Sequence, residues 1–153
     1  MKSLASQDTV DELVSRMERL TPDTERRWGT MTPGEMLCHV ADATEGVIGR
    51  RKTPGVVPNN PLPAPVAWLL LNTAIPFPKG VETRAGVNPR KEGTRPADFG
   101  TDRARAIDAL RALAVAPADS LSPTHFRFGT MTQAKWQRWA YKHTDHHLRQ
   151  FGL

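Results

Sequence analysis

The chain has 153 residues, of which 39% are hydrophobic and 24% charged, and these values predict one globular domain, residues 1–153, with its own core. Its single cysteine excludes an intrachain disulfide and the metal-finger motifs built on paired cysteines, and it favours a reducing, cytoplasmic compartment. The net charge of +5 is compatible with a nucleic-acid partner, but the arginines are scattered without interleaved aromatic residues, so we expect a basic solvated surface and no nucleic-acid partner.

The amino-terminal residues contain no apolar run before the first acid, so we expect no secretory signal. The most apolar stretch, residues 64–77, is shorter than the roughly 20 residues of a membrane span, so we also expect no membrane partner.

Four amphipathic helices are predicted from apolar residues that recur at intervals of three and four. Their ranges are residues 7–20, 33–50, 101–115 and 133–151. Thr32, Thr101 and Thr132 are the predicted N-caps of the last three, since a threonine oxygen can accept the first free backbone N–H groups. Pro33 and Glu35 strengthen the second helix start, as a first-turn proline and a capping-box acid.

A long connection, residues 51–100, separates the second and third predicted helices and holds most of the prolines. Only residues 66–75 within it are predicted to form a short apolar helix. Because such long connections are uncommon inside a compact domain, we interpret it as a crossover, a lid over a site, or both.

Histidines mark the candidate site. His143 and His147 are four residues apart, so they share one face of the last helix, and His39 lies at the edge of the apolar stripe of the second helix. At about 1.5 Å of rise per residue, His39 comes level with a point between the other two only if the helices are antiparallel. The second and fourth helices are antiparallel in an up-down-down-up bundle, which needs a long connection between the second and third. The sequence therefore predicts an all-α, four-helix bundle of that topology.

Three neutral imidazoles with an open coordination position are typical of a reactive metal site, whereas a structural site fills four positions. His146, three residues from His143, is an alternative to His147 as a ligand, or a residue that orients a ligand. Gln150, one turn beyond His147, either orients that imidazole or is an ordinary polar residue at a helix end.

Other reactive or aromatic side chains are expected to have structural roles. Cys38 lies about 100° around the helix from His39 and should point away from the site. Trp136 and Trp139 are predicted to belong to the core, and His125 to a structural or surface position.

The pattern of His39 followed by His143-x-x-His146-His147-x-x-Gln150, with Phe-Gly-Thr-Met-Thr-x-x-x-Trp ahead of it, resembles the DinB/YfiT-like superfamily. The resemblance covers the His39 helix and residues 126–152. It implies an up-down-down-up four-helix bundle, often dimeric, with a divalent metal, commonly zinc or nickel, bound by three histidines. Those ligands correspond to His39, His143 and His147, while His146 matches a frequent extra histidine that is not the usual ligand.

The resemblance also implies metal-dependent hydrolysis, or transfer reactions that use low-molecular-weight thiols. No acid is an obvious general base, since Asp42 and Asp145 project off the ligand face, so the residues do not distinguish an activated water from an activated thiol. We therefore expect a metal-dependent enzyme, a hydrolase or thiol S-transferase, acting on a small molecule as a homodimer. The alternative is a non-enzymatic metal-binding helical bundle that serves as a stress-associated interaction module.

Overall fold

Helices dominate the fold, so the predicted all-α class is confirmed. The computed structural model describes residues 2–52 and 61–153. Its helices are α1 (Gln7–Glu18), α2 (Pro33–Val47), α3 (Ala64–Asn72), α4 (Phe99–Val115) and α5 (Gln133–Gln150). The antiparallel strands β1 (Thr124–His125) and β2 (Gly129–Thr130) form a small hairpin before α5. Single 3₁₀ turns occur at Ala85–Val87 and Ala118–Ser120.

The two helices that carry the histidines begin at the predicted caps. At the start of α2 the Thr32 hydroxyl accepts from the Glu35 N–H at 3.2 Å, and the Glu35 carboxylate accepts from the Thr32 N–H at 2.8 Å. This capping box satisfies two N–H groups that the helix itself leaves free. The Thr132 side chain accepts from the Lys135 N–H at 3.3 Å, which caps α5 in the same way.

The predicted cap of α4 is wrong. Asp98 caps this helix, because its Oδ1 accepts both the Thr101 N–H at 2.8 Å and the Thr101 hydroxyl at 2.7 Å. Thr101 therefore lies inside the first turn, and the helix begins at Phe99, two residues earlier than predicted. A carboxylate at this position also interacts favourably with the positive end of the helix dipole.

Other helix ends also differ from the predicted ranges. Helix α1 ends at Glu18 rather than at residue 20. Helix α2 ends at Val47 rather than near residue 50, because Gly49 takes a left-handed backbone conformation (φ +72°) that a glycine adopts without strain. Helix α3 begins two residues earlier than predicted and ends at Asn72, after which Thr73 is extended.

The core lies between α1, α2, α4 and α5. Helix α2 packs against α4 and α5, helix α1 packs against α4 and α5, and α4 also contacts α5. Fully buried aliphatic and sulfur-containing side chains fill the space between them, including Leu13, Met17, Met36, Leu37, Leu110, Leu113 and Leu148. Burial of such side chains is the main favourable contribution to folding.

Hydrogen bonds fasten the helix ends to one another. Four of them join different helices or the residues beside them: Leu4 N to Gln137 O (3.2 Å), Arg103 Nη1 to Glu18 O (3.2 Å), Gln137 Nε2 to Ala114 O (3.0 Å) and Arg27 N to Gln150 O (2.6 Å). The beginning of α4 therefore lies beside the end of α1, and the end of α4 beside the beginning of α5. The residues that lead into α2 lie beside the end of α5.

The long connection contributes to the wall of the candidate site. Residues 53–60 of it lie outside the described residues. In the described remainder, α3 packs against α5 and the Ala85–Val87 turn packs against α2.

Within residues 2–52 and 61–153, no helix combines the length and apolar character that crossing a membrane requires.

Candidate metal centre

Three histidines from α2 and α5 meet at one point. One ring nitrogen from each of His39, His143 and His147 lies within 4.8 Å of the other two. The His39 Nε2 and His143 Nε2 atoms are 3.1 Å apart, and the ring centroid of His147 is 4.6 Å from each of the other two rings. The structure therefore brings together the three residues that the sequence selected, across 104 residues of chain.

Hydrogen bonds orient two of these rings. His39 Nδ1 is 2.7 Å from the carbonyl oxygen of Val87, and His147 Nδ1 is 2.8 Å from the side-chain oxygen of Gln150. Both oxygens only accept, so each Nδ1 carries the proton and donates it. The lone pair of each neutral imidazole is then on Nε2, the atom available to a metal ion.

The third ring is oriented by stacking. The His143 imidazole lies against the indole of Trp139, with ring centroids 4.7 Å apart and planes only 12° from parallel. Its Nδ1 is buried and has no hydrogen-bond partner within residues 2–52 and 61–153. The contact with Trp139 therefore fixes the plane of the one imidazole in the cluster that lacks an oxygen at Nδ1.

Burial keeps the three rings uncharged. It is the largest cause lowering the pKa of His39, His143 and His147, and the neighbouring imidazoles lower these pKa values further. The hydrogen bonds to Val87 and Gln150 oppose the shift for His39 and His147 without reversing it. The imidazoles are therefore neutral at physiological pH, which is the form that binds metal ions.

The arrangement fits a divalent metal ion with a preference for nitrogen ligands. Two nitrogens bound to one tetrahedral ion at 2.0–2.1 Å would be roughly 3.3 Å apart, close to the separation of the His39 and His143 Nε2 atoms. The cluster contains no carboxylate or thiolate among the described residues. Three neutral nitrogens suit zinc and nickel, whereas calcium and magnesium prefer oxygen ligands.

His146 lies outside the cluster of three. Its ring packs edge-on against Trp28, with centroids 4.7 Å apart, and burial lowers its pKa. Gln150 forms a hydrogen bond with His147, which agrees with its predicted role in orienting that imidazole.

Cys38 points away from the cluster, as predicted. Its side chain is fully buried, and burial is the largest cause raising the pKa of its thiol to about 12. The carboxylate of Asp102 on α4 adds to that shift, which indicates that the thiol faces α4. A protonated, buried thiol is a poor nucleophile.

The two carboxylates nearest to the histidines in sequence are occupied elsewhere. Asp42 is completely buried and accepts hydrogen bonds from Arg105 and Thr94, each at 2.7 Å. Asp145 forms an ion pair with Arg16 at 2.8 Å. Neither carboxylate is available as a general base, in agreement with the expectation from helix geometry.

A cavity of about 890 Å³ extends from the three histidines. Its wall is formed by α2, α3, residues 75–87, residues 122–128 and α5. Trp136 and Trp139 belong to the buried core, as predicted, but they also line this cavity. Its mainly apolar wall and its volume are typical of a small-molecule site.

Sequence reasoning missed several residues around the site. The Val87 carbonyl that orients His39 is a backbone atom 48 residues away in an irregular segment, and no side-chain pattern marks it. Phe77, Arg84 and Arg127 line the cavity from outside the four predicted helices. His125, for which a structural or surface position was expected, lines it too.

Comparison with known protein families matched residues 5–151 to the model described as "DinB superfamily". Comparison with curated proteins gave no match, and comparison with solved structures gave none either.

Proposed function

Since the chain belongs to the DinB superfamily, we propose that it is a metal-dependent enzyme in which His39, His143 and His147 bind one divalent ion. The observation that carries the proposal is the convergence of three ring nitrogens within 4.8 Å of one another. The outward hydrogen bonds of His39 and His147 support it, because they leave both Nε2 lone pairs free. We propose zinc or nickel as the ion, from the all-nitrogen donor set.

When bound, such an ion would supply Lewis acidity to a hydrolytic water or to the thiol of a small molecule. The residues of the chain would hold and orient it. Val87 and Gln150 fix the tautomers of two ligands, and Trp139 fixes the plane of the third. The apolar wall of the cavity would exclude bulk water from the reacting atoms. We propose a hydrolase or a low-molecular-weight-thiol S-transferase on this basis.

Metal analysis of untagged protein tests the proposal. We expect near-stoichiometric zinc or nickel in the wild type and its loss in His39→Ala, His143→Ala and His147→Ala. His146→Ala is the matched control, since it removes an imidazole beside the cluster, and it should retain the ion. An ion-free wild type, or triad variants that keep a full complement, would refute the assignment of the ligands.

We also propose that residues 1–153 form a single four-helix bundle of up-down-down-up topology, built from α1, α2, α4 and α5. The hydrogen bonds between helix ends support this, because they are consistent with α2 and α4 running opposite to α1 and α5. The long connection between α2 and α4 is the crossover that this topology needs.

A cytoplasmic homodimer without nucleic-acid or membrane partners remains our prediction. Analytical ultracentrifugation tests the oligomeric state, and titration with duplex DNA at low salt tests the absence of nucleic-acid binding. Binding to duplex with a steep salt dependence would contradict the second part.

The second candidate is a non-enzymatic metal-binding bundle with a stress-associated interaction role. One observation favours it. Asp42 and Asp145, the two acids closest to the histidines in sequence, both form ion pairs, so neither is available as a general base. It predicts that metal raises the melting temperature without turnover of ester, amide or thiol-adduct substrates. Metal-dependent turnover that disappears in His39→Ala would exclude it.

A further inference from the structure

Two arginines in the cavity wall have no carboxylate partner. Arg84 and Arg127 are half-buried, and neither guanidinium forms an ion pair or a hydrogen bond within the described chain. Residues 53–60 contain no acid that could supply one. Most other arginines near the core are paired, as Arg16 is with Asp145 and Arg105 with Asp42. A guanidinium that is partly removed from water without a counter-charge is costly, so its presence calls for an explanation.

Both arginines line the cavity together with the imidazole of His125. They are the charged groups that act on His125, where they add to the effect of burial in lowering its pKa to about 3. Arg84 also lies over the ring of Phe126, 4.8 Å from its centroid, which fixes the guanidinium beside the hairpin. Arg84 therefore lies against the 125–127 segment of the cavity wall, which contains Arg127.

His125 adds a donor to this pair. Its Nδ1 accepts the Arg127 and Phe128 backbone N–H groups at 3.0 and 3.3 Å, so the ring proton must be on Nε2. That Nε2–H has no acceptor within the described residues, and His125 lines the cavity. The hairpin thus presents a neutral donor to the cavity that Arg84 and Arg127 also line.

The rest of the described wall is mainly apolar, and its one acid is engaged elsewhere. Among the described residues, Glu82 is the only carboxylate that lines the cavity, and it is exposed and paired with Lys91 at 3.2 Å. Phe77, Phe128 and Trp136 supply aromatic surface. A ligand that matches this wall carries a negative group for the arginines and an apolar, preferably aromatic, body.

We propose that the cavity binds an aromatic carboxylate, with Arg84, Arg127 and the His125 Nε2–H as the carboxylate site. This names the substrate class of the proposed enzyme and rests on that function only in placing the reacting end of the molecule at the three histidines. The carboxylate itself binds at the hairpin and not at the metal.

Binding of 2-naphthoate and of its neutral analogue 2-naphthalenemethanol tests the proposal. Titration calorimetry on untagged, metal-analysed protein should give at least tenfold tighter binding of the carboxylate. Arg84→Met and Arg127→Met should each weaken carboxylate binding about tenfold and leave the alcohol unchanged, because charge-assisted hydrogen bonds are lost. Arg84→Lys and Arg127→Lys should retain part of the preference. Arg111→Met, at an exposed position on α4, is the control and should bind as the wild type does.

Equal affinity for the two probes, or an unchanged preference in an Arg84→Met, Arg127→Met double variant with native circular dichroism, would overturn the proposal. So would a preference that depends on His143 and not on the arginines, since the carboxylate would then bind at the ion. The metal content of the same samples reports separately on the proposed function. An ion-free protein that keeps an arginine-dependent preference would refute the enzyme and leave the carboxylate site standing.

Discussion

The orientation of two histidines depends on single hydrogen bonds. Val87 and Gln150 each supply one oxygen to an Nδ1–H, and each oxygen selects the tautomer that leaves Nε2 free. Partners of this kind commonly change metal affinity by about 10- to 100-fold when they are removed. We therefore expect the affinity of the proposed metal site to depend on atoms that would not contact the ion.

Gly29 tests this dependence on Gln150. A β-carbon at Gly29 would lie 2.7 Å from Gln150 Nε2, so Gly29→Ala must displace the amide that orients His147. We expect about tenfold weaker metal binding in a chelator competition, similar to Gln150→Ala. Gly49→Ala is the matched control, because Gly49 also has a positive φ but nothing lies within 4 Å of its added carbon. Equal affinities in the two variants would show that Gln150 does not tune the site.

Cys38 provides a second test at the residue scale. Its side chain is fully buried, so a thiol reagent at mildly alkaline pH should label the folded protein only after denaturant is added. Cys38→Ala should keep the bound ion, since the thiol faces α4. Rapid labelling of the native protein, or loss of the ion in Cys38→Ala, would instead implicate this cysteine in the chemistry.

The convergence of the three histidines could be predicted from the sequence, but their supporting contacts could not. His39, His143 and His147 follow from helical spacing and from the level of each residue along its helix. The carbonyl of Val87 and the side chains of Arg84 and Arg127 belong to irregular segments, where no period links sequence position to direction. The direction in which each of these groups points depends on how its segment packs against the rest of the structure.

Among the elements, the segment after α3 is clamped to the start of α2. Arg90 donates from Nε and Nη2 to the Glu35 carboxylate, at 2.6 and 2.7 Å, and from Nη2 to the Thr30 carbonyl at 2.8 Å. Arg90 is three residues beyond Val87, so the clamp also holds the carbonyl that orients His39. The capping box of α2 and the position of this segment therefore share one carboxylate.

This clamp gives a pH dependence with a defined sign. The hydrogen bond from Arg90 is the largest cause lowering the pKa of Glu35 below its ordinary value of 4.5. The stabilisation that this ion pair contributes is fully present above pH 4.5, and it is lost as the pH falls through the lower pKa of Glu35 in the folded state. Urea denaturation between about pH 7 and pH 3 should show Glu35→Gln less stable than the wild type at neutral pH, with the difference vanishing in acid.

The exposed Glu25→Gln is the control for this series, since Glu25 has no hydrogen-bond partner among the described residues. It should follow the wild-type curve throughout. Arg90→Met should reproduce the Glu35→Gln profile, because the two residues form one pair. If the difference in unfolding free energy between Glu35→Gln and the wild type is the same at all pH values, the Glu35 carboxylate does not titrate with a lowered pKa.

Helix existence could be predicted better than helix ends. The threonine N-caps and apolar stripes located α2 and α5 to within a few residues at each end. The start of α4 was misjudged because Asp98 and Thr101 are both good caps by residue type, and only the hydrogen bonds to Asp98 Oδ1 decide between them. Such choices depend on local side-chain geometry, which residue type alone does not specify.

At the scale of the whole molecule, the proposed ion should stabilise the fold, because its ligands come together only in the folded chain. An ion that binds the native state alone stabilises it by about 2.7 kcal/mol when the free ion is at 100 times its dissociation constant. We expect chelation to lower the melting temperature of the wild type and to leave His143→Ala unaffected. Scanning calorimetry with and without chelator measures both, and identical wild-type transitions would contradict the linkage.

The histidine cluster and the opposite wall of the cavity belong to different parts of the chain. The histidines are on α2 and α5, which belong to the packed core, while most of the opposite wall comes from residues 62–87 and 122–128, outside those helices. Substitutions in these wall segments disturb the core little, because such segments tolerate sequence change better than packed helices do. We therefore expect related chains to differ in the wall segments while keeping the histidine cluster, and a graft of the two wall segments between relatives should transfer ligand selectivity without altering affinity for the proposed ion.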